Sequence, residues 1–140
     1  MFEFSCAVNK TTSNQAIRID YKIKNDYPSF EITNISQKQI LFPSPDYLYI
    51  EVKNDQEWQK IPYVPCECGT PCAKKLSKRI HPEEQLWTEW KMISRKCKGR
   101  ETETKRYGSG MYRIKFSYQI LEGEYISKSD KIWVEFEVKL

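Results

Sequence analysis

Four cysteines carry the most chemistry that this sequence offers. Cys66, Cys68 and Cys72 fall within Pro65-Cys66-Glu67-Cys68-Gly69-Thr70-Pro71-Cys72, and Cys97 follows at a distance. Two prolines and a glycine make the first three a tight loop that brings their sulfurs near one another. Cys66 and Cys68 are poorly placed to bond each other, because so short a ring conflicts with disulfide geometry. If disulfides form, one of the two pairs with Cys72 and the other with Cys97. The competing chemistry is a four-thiolate centre, since clustered thiolates suit zinc or Cu(I). The spacing C-x-C-x3-C with a distant fourth cysteine is not the usual pair of C-x2-C knuckles. Cys6 sits on the apolar face of an alternating segment and reads as a buried free thiol acting as a small hydrophobe. A catalytic thiol needs a neighbouring base, and the single histidine, His81, adjoins Pro82.

No phosphate-binding glycine loop, H-E-x-x-H or nucleophile elbow is present. Most carboxylates, such as Glu51, Glu135 and Glu137, fall on polar strand faces. The expectation is therefore a non-enzymatic protein with no catalytic residues and no cofactor, with zinc or Cu(I) on the clustered cysteines as the alternative.

Charge is uneven. The chain has a net charge of +4, yet residues 74–106 hold eleven Lys and Arg against five Glu. Lys74, Lys75, Lys78, Arg79, Arg95, Lys96, Lys98 and Arg100 are the candidate anion- or partner-binding residues. No aromatic residue lies between 94 and 106, so nucleic acid is a poor fit. Tyr47, Tyr49 and Trp133 point away from the expected core face and are the candidate surface aromatics. Two glycosylation triplets occur, at Asn9 and Asn34.

The elements that must hold these groups are strands. Apolar residues recur at every second position in Phe2–Val8, Ile17–Ile23, Leu48–Val52, Tyr112–Ile120 and Ile132–Leu140. This is the pattern of a strand with one dry and one wet face. Weaker strands are expected at 29–35, 39–42, 57–63, 84–92 and 124–128. Turn signals lie at Asn25-Asp26, Pro43 and Pro45, Asn54-Asp55, Gly108 and Gly110, and Ser129-Asp130. Strands at short spacing without helices predict one domain over 1–140. The fold class is all-β: a single antiparallel immunoglobulin-like sandwich of about seven to nine strands. Two long loops, 64–82 and 94–109, flank the strand at 84–92 and are expected at its opposite ends.

The segment Ile32-Thr33-Asn34-Ile35-Ser36, Trp58, Trp90 and Gly108-Ser109-Gly110-Met111-Tyr112-Arg113-Ile114 resemble the layout of bacterial immunoglobulin-like domains. Among these the chain is similar to the intracellular proteinase inhibitor type. The resemblance implies a sandwich in which Tyr112 closes a corner by a hydroxyl bond to the backbone.

No apolar run approaches the roughly 20 residues that span a bilayer, so no transmembrane segment is expected. The opening Met-Phe-Glu-Phe-Ser-Cys lacks the basic start and apolar stretch of a secretory signal. The reading is a mature secreted, periplasmic or cell-envelope form, with a cytoplasmic protein as the alternative. The function expected is a binding or assembly module with a cysteine-pinned loop and a basic face, its partner a protein or an anionic polymer. A metal-handling protein and a proteinase inhibitor are the alternatives.

Overall fold

The computed structural model describes residues 10–45, 47–69 and 77–140. Cys6, Cys72, Lys74, Lys75 and the alternating segment at 2–8 lie outside these. Twelve strands run in chain order: β1 (Lys10–Ser13), β2 (Ile17–Lys24), β3 (Tyr27–Asn34), β4 (Ile40–Phe42), β5 (Tyr49–Asn54), β6 (Glu57–Ile61), β7 (Lys78–Ile80), β8 (Gln85–Glu89), β9 (Ile93–Lys98), β10 (Glu101–Arg106), β11 (Gly110–Glu122) and β12 (Tyr125–Val138). No helix occurs among the described residues.

One sheet has the order β1-β2-β3-β8, all antiparallel. A second is organised on β11. Strand β12 pairs along one edge of β11, while β5 and β4 share the other edge and carry β6 and β7 outward. Alternation decides which side chains meet. Ile17, Ile19 and Tyr21 of β2 and Phe30 and Ile32 of β3 are buried on the inner face of the first sheet. Tyr112, Ile114, Phe116 and Tyr118 of β11 and Ile132, Val134, Phe136 and Val138 of β12 are buried on that of the second. Phe30 crosses between them, edge-on to Phe116 (5.3 Å between centroids) and Phe136 (5.8 Å). Two polar links also cross: the Tyr21 hydroxyl donates to the Glu135 carbonyl (3.1 Å), and Asn14 Nδ2 donates to the Tyr118 hydroxyl (2.7 Å). The molecule is thus an all-β sandwich.

Turn chemistry fixes register where loops are shortest. Asn25-Asp26 and Asp55-Gln56 each form a two-residue hairpin loop with both residues at positive φ, the geometry that matches strand twist. Trp90 is fully buried just after β8, stacks edge-on against Tyr112 (5.3 Å) and donates Nε1–H to the Ile93 carbonyl (2.8 Å). The Tyr112 hydroxyl donates to the Gly108 carbonyl (2.6 Å), tying the start of β11 to the chain leading into it. Asn34 is fully buried and satisfied: its amide donates to the Lys38 and Ile80 carbonyls, and its oxygen accepts from the Ser36 backbone N–H and hydroxyl. The glycosylation triplet at Asn34 is therefore a structural clamp whose amide is closed to glycan attachment.

Three expectations are corrected. The segment 94–109 is not a loop: β9 and β10 form a hairpin within it. They show no apolar alternation because, from Arg95 outward, no second layer of described residues buries them. Ser129-Asp130 is not a turn but lies inside β12; the chain reverses at Gly123, at positive φ. The two cysteine-bearing regions, expected at opposite ends of the strand at 84–92, meet. The strands outnumber the seven to nine expected because β7, β9 and β10 arise from segments without a dry face.

Burial pushes the Tyr21, Tyr112 and Tyr118 hydroxyls above the usual tyrosine range. Unfolded tyrosines ionise near pH 10, so above that pH the unfolded chain holds fewer protons than the native one and stability falls. Urea unfolding from about pH 8 to about pH 11 will show stability flat in this respect up to about pH 10 and falling beyond. Tyr112→Phe will remove part of that fall, at a loss of about 1 kcal/mol at neutral pH for the corner bond.

Candidate functional site

Of the residues singled out for chemistry, Cys68, Cys97, Arg95, Lys96, Lys98 and Arg100 meet at the β9–β10 hairpin. After β6 the chain turns along β9 in parallel: Arg95 N–H donates to the Pro62 carbonyl (2.9 Å) and Val64 N–H to the Arg95 carbonyl (3.0 Å). It continues toward the hairpin turn, where Cys68 is joined to Cys97 by a disulfide with Cα atoms 5.4 Å apart. Cys68 N–H donates to the Thr102 hydroxyl (3.1 Å), opposite Cys97 in the ladder. Gly69 is needed where it stands. Its φ is +86°, and a Cβ there would lie 2.9 Å from Arg100 Cβ and 3.0 Å from the Arg100 carbonyl oxygen. Cys66 is likewise disulfide-bonded. With Cys68 and Cys97 joined, neither is a thiolate, so a four-thiolate metal site first requires reduction of that bond. Among the described residues no group of His, Cys, Asp and Glu is placed to hold a metal ion.

The pleat sorts the hairpin charges. Lys96 and Lys98 share a face with Glu101 and Glu103, and Glu103 takes both ammoniums, at 3.7 and 3.8 Å. Arg95 and Arg106 share the other face with Cys97, Thr102 and Thr104. Arg95, Arg100, Lys105 and Arg106 have no carboxylate partner among the described residues. Lys105 instead lies over the Tyr107 ring at 5.3 Å. The rest of the described basic residues are dispersed. Lys78 and Arg79 lie on β7, at the opposite end of the second sheet from β6, and Arg79 donates to Gln39. Lys91 pairs with Glu89 (3.5 Å), whose charge holds the ammonium above its usual range.

A second cluster covers the outer face of the β11 sheet, beside β6. Tyr49 and Trp133 lie there, half-buried and edge-on at 5.8 Å. The Arg113 guanidinium lies between the Trp58 and Trp133 rings, at 4.4 and 4.3 Å, and pairs with Glu51. Lys115 and Lys60 share the Tyr49 ring at 4.1 and 4.7 Å, and Lys53 lies over Trp58 at 5.8 Å. Tyr47 lines a surface recess with Phe42, Pro43, Tyr49 and Lys115. Arg113, Lys115, Trp58 and Lys60 were missed in the sequence. Alternation places Arg113 and Lys115 outward, but only the pairing of β11 with β5, and of β5 with β6, brings them to these rings.

Compared with known proteins, the chain matches no family model, no curated protein and no solved structure.

The oxidised chain will weigh four hydrogens less than the fully reduced one, as two disulfides require; equal masses before and after reductant would refute the bonded loop. Replacing both Cys68 and Cys97 by Ala will lower the unfolding free energy by about 3.5 kcal/mol, the chain-entropy value for a closed loop of this length. Arg113→Lys will cost about 1 kcal/mol, because an ammonium cannot stack flat between two rings while forking onto Glu51; a thermal melt matching the wild type would count against that packing.

Proposed function

We propose that this chain is a non-enzymatic binding module of the extracellular space or cell envelope, engaging an acidic protein or an anionic polymer through the β9–β10 hairpin. The carrying observation is that Arg95, Arg100, Lys105 and Arg106 stand without carboxylate partners among the described residues, on a ribbon held by the Cys68–Cys97 bond. A cation on a free loop loses its conformational entropy on binding, whereas one on a pinned ribbon has already lost most of it, so the same contacts yield more affinity. Unneutralised cations also speed encounter with an anionic partner, in a salt-dependent way. The disulfide fits an oxidising compartment. The hairpin carries no aromatic residue on which bases could stack, which disfavours nucleic acid. An immunoglobulin-like reading of the sandwich is supported by the Tyr112–Gly108 corner bond with Trp90 packed on Tyr112.

The test uses the full oxidised chain against heparin and polyglutamate. Binding to at least one is expected, weakening as salt rises. Exchanging Arg95, Arg100 and Arg106 together for Ser will weaken it roughly tenfold or more, about 1.4 kcal/mol. Exchanging Lys96 and Lys98, already paired with Glu103, will do much less. Binding that ignores both salt and the arginines, or no binding to either polyanion, sinks the proposal.

A further inference from the structure

Three of the four tryptophans are committed to the fold. Trp90 is buried with its N–H bonded, and Trp58 and Trp133 hold Arg113. Trp87 is 60% exposed, and its indole makes no hydrogen bond, ring contact or cation contact with the described residues. A single exposed apolar side chain needs no explanation by itself; what singles out Trp87 is that it borders a groove with directed polar groups. The indole lies on the outer face of the β1-β2-β3-β8 sheet, which is not hydrogen-bonded to the β9–β10 ribbon.

Register places Trp87 at the end of a row across four strands: Thr11 opposite Asp20, Asp20 opposite Glu31, and Glu31 opposite Trp87. A groove of about 300 Å³ lies along this row, lined by Asp20, Tyr21, Lys22, Ser29, Glu31 and Trp87. Its acceptors are already aimed. Asp20 receives Thr11 Oγ1–H (2.7 Å) and Arg18 Nε–H (3.1 Å), and Glu31 receives Gln85 Nε2–H (2.9 Å). A carboxylate has about four lone-pair sites, so both keep capacity for further donors. Strand β8 pairs only with β3 among the described residues, so the row opens to solvent at the Trp87 end.

We infer that this row is a binding site for a neutral glycan, with Trp87 stacking on the apolar face of one sugar and Glu31 and Asp20 accepting hydroxyl protons from it and its neighbours. The charge balance selects this ligand. Asp20 and Glu31 are matched in number by Arg18, which pairs with Asp20, and by Lys22, which lines the groove, so the row carries no net charge to draw an anion. Among the described residues the groove is lined by no aliphatic residue that could make the dry pocket a protein anchor needs. Ligand sites that fix orientation combine one apolar surface with a few directed polar groups. Rows of such groups repeat here at the strand spacing of about 4.8 Å, so a linear saccharide laid across the strands meets a hydrogen-bonding group at each.

The test is calorimetric titration of the full oxidised chain with neutral hexasaccharides of glucose, mannose, galactose and N-acetylglucosamine, with tryptophan fluorescence followed in parallel. At least one is expected to bind with a Kd of about 1 mM or tighter and to shift the emission to shorter wavelength. Trp87→Ala will weaken that binding roughly tenfold or more and Glu31→Gln by a smaller factor. Being exposed, Trp87 can be removed without loss of fold, which a circular dichroism spectrum checks. The inference fails if none of the four binds, or if binding survives in Trp87→Ala. It fails equally if the sugars are ignored while a lysine-rich peptide binds in a Trp87-dependent way, which would make the row a dock for a partner's cation.

Discussion

The pleat of β11 constrains everything else. Its thirteen residues are bounded by β12 along one edge and by β5 and β4 in succession along the other. A strand paired on both edges cannot slip by one residue without turning its whole dry face outward. Tyr112, Ile114, Phe116 and Tyr118 therefore stay pointed at the β2–β3 layer, and Arg113 and Lys115 stay pointed away from it. The core and the cation–aromatic cluster are two sides of one register.

That register also positions the hairpin. Tyr112 packs on Trp90, and Trp90 holds the Ile93 carbonyl at the root of β9. Tyr107 N–H donates to the Met92 carbonyl at the root of the same hairpin. The ribbon leaves the core from this fixed base. Beyond it, hydrophobic burial ceases, and covalent and hydrogen-bonded ties take over: the parallel run beside Arg95, the Thr102 bond and the Cys68–Cys97 link. An isolated two-stranded ribbon is marginal in water, which gives the disulfide a physical task whatever the ribbon binds.

The two proposed sites differ in chemistry for the same reason that they differ in place. The hairpin keeps Arg95, Arg100, Lys105 and Arg106 without carboxylate partners among the described residues, which favours an anion. The outer face of the β2–β3 sheet balances its charges internally and leaves an indole open, which favours a ligand with hydroxyls and an apolar face. The cation–aromatic cluster on the β11 sheet resembles neither. Its rings are occupied by Arg113, Lys60 and Lys115, so it reads first as packing that stiffens the sheet beside β6.

By itself the sequence determined the fold class, because period-two burial is a local property that each strand displays without reference to its partners. Alternation marked β2, β5, β11 and the end of β12, and the Asn25-Asp26 and Asn54-Asp55 signals marked hairpin turns. It did not reveal β9 and β10, since a ribbon with no covering layer has no dry face to display, and the basic composition of 94–106 read as loop. Only the tertiary structure decided which cysteine meets Cys97, which lysines Glu103 pairs with, and that Trp87 alone among four tryptophans is left open. Each of those outcomes depends on which strand lies beside which, and side chains far apart in the chain become neighbours only when backbone pairing fixes the register between them.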